Sequence, residues 1–280
     1  MHAPPPLKQR APTQQPSHAK QLIGWMIVVL VFTTGIPTSI GAKSMFVLET
    51  PIVAEDIHVT TFDKKGRAVG ASVFEVGTDE RGALHLSVTM AIEGGGRNVS
   101  EAILVPVGPE RTFQILEERS QATRADGISL DYLVIDHAKR RVSCYPPDRD
   151  LTQGQHVDLP EDDRVVNVSM QLLFQPLVSG EVKDLRFQIA LCRDGPVLYK
   201  MVAVRGPTTH NADRDVLEVR YGPDLGNAVA WFASRLLPRF SFWFDARDGS
   251  YLGHRMPLHR KGPKILLVRQ GLTPSDLGFD

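Results

Sequence analysis

Between His254 and Leu272 the chain reads HRMPLHRKGPKILLVRQGL, which sets two imidazoles, His254 and His259, and five cations among aliphatic side chains. Three chemistries suit those residue types. An imidazole close to a carboxylate is a general base, and His254 with Asp245 would make such a pair. Two imidazoles on one face hold a metal. Arg255, Arg260, Lys261 and Lys264 together form a basic patch that attracts an anion.

Strand parity discriminates among these. In FSFWFD, Phe240, Phe242 and Phe244 share one face and Trp243 takes the other; after the Asp248-Gly249 turn, Leu252, His254, Met256 and Leu258 share a face. His254 is therefore expected to look inward as a neutral, hydrogen-bonded core histidine. His259 has the opposite parity, so no metal pair forms on a regular strand; only a bulge, such as Pro257 would favour, flips that relation. No metal ligand set is expected.

Charge points elsewhere. Eight Arg or Lys residues lie between Arg235 and Arg269 against two acids, Asp245 and Asp248. The chain as a whole is balanced, with 32 bases and 32 acids, which gives no global field toward nucleic acid. A basic end on an otherwise acidic body suits phospholipid or lipopolysaccharide headgroups. Equally, charges on strands keep sheet edges from aggregating. The ligand-binding candidates are thus His254, Arg255, Arg260, Lys261 and Lys264, with Trp243 and Trp231 as aromatic lining.

The elements that must position these residues are mostly strands. ALHLSVTMAIE puts Leu84, Leu86, Val88, Met90 and Ile92 on one face, and DLRFQIALC repeats the alternation with Leu185, Phe187, Ile189 and Leu191. DKKGR, TDERG, EGGGR, RADG, RDGP and RDGS supply turns between them. Two segments read as helical. MQLLFQPLV follows the capping candidates Asn167 and Ser169 and is interrupted or ended near Pro176, and LGNAVAWFASRLL runs from the cap Asp224 to Pro238. The expected fold is mainly β: one domain over 43–280 in which a strongly curved antiparallel meander, a half-barrel or open barrel, wraps around two short helices.

Residues 1–42 contain Lys8, Arg10 and Lys20 and no acid, then the apolar run Leu22 to Phe32, then small residues up to Ala42. That pattern is an export signal cleaved after Ala42, or an uncleaved anchor that contacts the inner membrane through residues 22–36. Either places the body outside the cytoplasm, in the periplasm or held at the inner membrane. Cys144 and Cys192, the two cysteines, pair in such a compartment or stay as two buried thiols. No GxSxG, HExxH, CxxC or Walker pattern occurs, and no cofactor is expected.

The order of elements carries a resemblance. The ISLDYLVIDHAKRRVSCY strand pair, a loop ending in LPEDDRV, the helix SMQLLFQPLVSGE, the hairpin DLRFQIALCRDGPVLYKMVAV and the closing meander FSFWFDARDGSYLGHRMPLHRKGPKILLVRQGL resemble a family of exported bacterial proteins of unknown function. That family is similar in fold to the LolA/LolB-like lipoprotein carriers. The resemblance spans roughly Asp56 to Leu272 and implies a curved sheet around helices with an apolar cavity for acyl chains. It assigns no functional residue, and the helix at 224–237 has no counterpart in it. The function expected from it is a non-enzymatic envelope protein that holds a lipid, or another apolar or anionic envelope component, in the concave face of the sheet. The alternative is a hydrolase of envelope lipid or polysaccharide with His254 as its base.

Overall fold

The computed structural model describes residues 47–48, 56–107, 112–159, 164–211, 213–224, 240–259 and 262–279. The export segment, the helix expected at 224–237 with Trp231, and the pair Arg260 and Lys261 lie outside the described residues. No described helix is long and apolar enough to cross a membrane.

Strands dominate, as the alternation requires. β1 (Val47–Leu48), β2 (Ile57–Phe62), β3 (Ala68–Thr78), β4 (Leu84–Ala91), β5 (Arg97–Pro106), β6 (Phe113–Thr123), β7 (Tyr132–Asp136), β8 (Arg141–Tyr145) and β9 (Gln155–Asp158) are followed by two helical turns, α1 (Met170–Leu173) and α2 (Gln175–Ser179). Then come β10 (Asp184–Cys192), β11 (Pro196–Asn211), β12 (Arg214–Pro223), β13 (Phe240–Asp245), β14 (Tyr251–Pro257) and β15 (Lys264–Arg269). In β4, Leu84, Leu86, Val88 and Met90 are buried while His85 is exposed. The helix is interrupted at Phe174, which ends α1 and caps α2, with Pro176 in the first turn of α2, where proline's missing donor costs nothing.

Fourteen strands form one antiparallel sheet in the order β10 to β15, then β2 to β9, and β1 pairs separately with β6. Two meanders are therefore fused where β15 pairs with β2, Leu266 opposite Phe62. The concave side follows from the core. Leu86, Leu104, Ile115, Phe187, Val219, Phe244 and Leu267, drawn from both meanders, share one buried cluster with Leu173, Phe174 and Leu177 of the helical turns. Phe174 lies 5.2 Å from Phe242 and 5.6 Å from both Phe187 and Tyr221, ring centre to ring centre. The helical turns thus fill the hollow expected to receive a guest.

A second apolar layer covers the outside of β12 to β15. Val216, Trp243, Leu252, Leu266 and Val268 point away from the main core and pack under Leu272, Leu277 and Phe279 of the C-terminal tail. Burial on both faces explains why KILLVR is apolar continuously rather than alternately.

The sheet does not close by strand pairing. The free edge of β10 is met by the segment 164–167: Val166 N donates to Gln188 O at 2.9 Å, Gln188 N to Arg164 O at 2.8 Å, and the Asn167 side-chain amide exchanges two bonds with the backbone of Ala190. That segment is anchored in turn by Glu118 on β6, which is 1% exposed. Its carboxylate accepts from the backbone N–H groups of Asn167 (2.6 Å), Val168 (3.1 Å) and Ser169 (3.1 Å) and from the Ser169 hydroxyl (3.1 Å). Burial pushes the Glu118 pKa up, and the four donors oppose that shift. Nearby, the Cys144–Cys192 disulfide ties β8 to the end of β10 across the same seam, Cα to Cα 5.7 Å.

Two measurements probe the seam. Removing the disulfide by Cys144→Ser with Cys192→Ser is predicted to lower stability by about 4 kcal/mol, the chain-entropy value for a loop of 48 residues, read from the urea midpoint with and without reductant. Glu118→Ala leaves three backbone donors without an acceptor and is predicted to cost about 3 kcal/mol or more in the same assay, whereas Glu118→Asp, which keeps an acceptor, costs less.

Candidate ligand-binding cleft at the rim of the sheet

A cleft of about 650 Å³ opens at one end of β13, β14, β15 and β2. Its walls come from strand ends and from two connections. Asp63, Lys64, Lys65 and Gly66 belong to the β2–β3 turn, Phe240 starts β13, Arg255 and Met256 lie near the end of β14, and Lys264 starts β15. Pro274 and Phe279 of the tail complete it. Gly66 takes φ +71°, the left-handed geometry that lets the turn close with both lysines at its tip.

Positive charge there is only partly offset: Lys64, Lys65, Arg255 and Lys264 face one lining acid, and Glu218 attracts Arg255 without pairing with it. Among the described residues one acid lines the cleft, Asp63, which accepts from Arg67 Nε (2.9 Å) and Nη2 (2.7 Å) and from the backbone N–H of Arg67 and Lys65. The Arg67 side chain, followed by those backbone donors, holds the Asp63 carboxyl below the usual range. Glu218, on the strand two places from β14, is likewise taken up, by Arg220 and by Ser241 Oγ at 2.7 Å. Among the described residues no carboxylate forms an ion pair with Lys64, Lys65, Arg255 or Lys264. The Arg255 guanidinium instead lies over the Phe279 ring, 5.2 Å from its centre, and Phe279 stands edge-on to Trp243 at 4.9 Å. Cations beside Phe240, Met256 and Phe279 can bind a group that carries both negative charge and apolar surface.

The structure thus brings Arg255 and Lys264 into one site, together with Lys64 and Lys65, which the sequence reading treated only as turn residues. Trp243 lies beneath the cleft rather than in it, 4% exposed. His254 belongs elsewhere. It is 2% exposed on the concave side, stacked on Phe242 at 4.8 Å, with Nδ1 2.5 Å from the Tyr251 hydroxyl. Burial lowers its pKa to about 3 and pushes that of Tyr251 well up, so both groups are neutral and share one buried hydrogen bond. The His254–Asp245 base pair is not formed: Asp245, on the other face, serves Arg214 at 3.4 Å and the Arg247 N–H at 2.9 Å. The parity expected for Leu252 is also corrected. A register shift opposite Trp243 and Phe244 places Leu252 outward while Tyr251 and His254 face in. Gly253 sits at that irregularity, where an added Cβ would come within 2.4 Å of Leu267 O.

Because the unfolded imidazole protonates near pH 6.5 and the folded one only near 3, the stability contributed by a neutral His254 is complete above pH 6.5 and falls as pH drops toward 3. We predict that His254→Phe costs about 1–3 kcal/mol by stranding the Tyr251 hydroxyl, that adding Tyr251→Phe recovers most of it, and that the double variant loses part of the acid-dependent slope in urea unfolding between pH 4 and 7.

No family model matches the chain, and no curated protein matches it. Among solved structures the chain is similar to the crystal structure of a beta-barrel-like protein of the domain of unknown function DUF1849 from Brucella abortus, at 11% sequence identity and a TM-score of 0.46, over 78% of this chain and 96% of that one.

Proposed function

We propose that the protein is a non-enzymatic factor of the bacterial envelope that binds an anionic lipid through its headgroup at the rim cleft. One observation carries the reading: Lys64, Lys65, Arg255 and Lys264 outnumber the single lining acid, Asp63, and none of them is in an ion pair among the described residues, on a cleft whose walls also include Phe240, Met256 and Phe279. A phosphate-bearing headgroup supplies the missing charge, and its glycerol or acyl portion suits the apolar wall. The concave face is no longer the proposed seat, because α1, α2 and their aromatic neighbours occupy it.

Location outside the cytoplasm is part of the proposal. It is supported by the basic, acid-free start with its apolar run from Leu22, and by a disulfide that an oxidising compartment maintains.

The test is flotation of the full chain with vesicles. Binding is expected to phosphatidylglycerol-containing vesicles, to weaken with salt, and to be absent with phosphatidylcholine alone. Arg255→Gln with Lys264→Gln removes two cations worth about 1 kcal/mol each, so affinity should fall roughly 30-fold while the unfolding midpoint stays near wild type. Equal binding to neutral vesicles, or an unchanged affinity in the double variant, would overturn the reading.

A further inference from the structure

The C-terminal tail closes the cleft as well as covering the sheet. Its attachment is mostly apolar: Leu272, Leu277 and Phe279 sit on Val216, Trp243, Leu252, Leu266 and Val268. The polar ties to the body are few among the described residues, chiefly Leu272 N to Arg269 O at 3.0 Å and the Asn211 side-chain amide to Asp276 O at 3.4 Å. Within the tail, Thr273 and Asp276 form a reciprocal cap on the short turn Pro274–Leu277, which delivers the chain to Phe279 as a compact unit. Phe279 then touches two things of different kind. Its edge contact with Trp243 fixes the ring, and its face carries the Arg255 guanidinium. A guanidinium held over a ring face spends no N–H group on that contact, which leaves its donors for a two-pronged grip on phosphate.

Resting on the anionic-lipid reading, we infer that Phe279 is the residue that positions Arg255 for the headgroup, and that occupancy of the cleft and docking of the tail stabilise each other. Coupling of this kind is reciprocal. A bound anion fixes Arg255 against the ring and so holds the tail down; a loosened tail leaves Arg255 unsupported and weakens binding.

The full chain and its Phe279→Leu, Phe279→Tyr and Phe279→Ala variants distinguish the possibilities. Leu keeps apolar contact with Trp243 but lacks a ring face, so binding to phosphatidylglycerol vesicles is expected to fall about threefold to fivefold with little change in unfolding midpoint; Tyr should restore it. Amide hydrogen exchange over residues 272–279 should slow when ligand binds. Slowing by inorganic pyrophosphate as well as by vesicles assigns the effect to the phosphate itself, and slowing by vesicles alone assigns it to the lipid surface; both support the coupling. Wild-type binding with Phe279→Leu unchanged, or with tail exchange indifferent to either probe, overturns this inference and leaves the rim-cleft reading standing. Failure of the wild-type chain to bind the vesicles overturns both.

Discussion

A sheet of fourteen strands that curls around its own core brings its two outermost strands toward each other, and each presents a row of unpaired backbone groups. In this protein the burden falls on a single carboxylate. Glu118 gathers the N–H groups of three consecutive residues and a hydroxyl, and so presents the segment 164–167 to the free edge of β10. Asn167 then imitates a strand residue with its side chain, trading two bonds with Ala190. The disulfide lies close by and acts in the same sense, by limiting how far β8 and β10 can separate. With the seam held, the first turn of α1 starts at a fixed point and Phe174 reaches the aromatic centre of the core.

The two faces of the C-terminal meander have different tenants. Inside, Phe242, Phe244 and Tyr251 share the core cluster with the helical turns and His254 stacks on Phe242; outside, Trp243, Leu252, Leu266 and Val268 pack beneath the tail. The rim cleft lies where the outer layer reaches the strand ends with Phe279 alone against Arg255, beside Lys264 and the lysines of the β2–β3 turn. The cleft is thereby separated from the core: its cations sit where water can reach them, and the polar pair inside the hollow, Tyr251 with His254, is sealed from solvent.

Much of this architecture was legible in the residues. Period-two alternation in β4 and β10, the Gly- and Asp-bearing turns, and the inward Phe240, Phe242 and Phe244 all follow from elementary strand geometry. Irregularities limited the rest. Pro257 points to a bulge at that position, which leaves Leu252 inward, whereas the register slips four residues earlier, beside Gly253. Glu118 is hidden for the same reason: Phe113 and Ile115 face the core, so strict alternation would send Glu117 inward, but the register shift opposite Ile103 and Leu104 turns Glu118 to the core instead. Such slips leave little trace in composition. In the sequence the lysines at 64 and 65 belong to a turn, and only the three-dimensional adjacency of β2 and β15 joins them to Arg255 and Lys264.

That adjacency has a kinetic side. Leu266 meets Phe62 across roughly 200 residues of sequence, and the strand that completes the sheet's centre is the last one made. Loop closure on that scale is slow, so the edge of β2 is expected to stay bare until β15 pairs with it. A sheet built this way has its two halves joined only when that one long-range strand pair forms, so its centre is completed in a single late step.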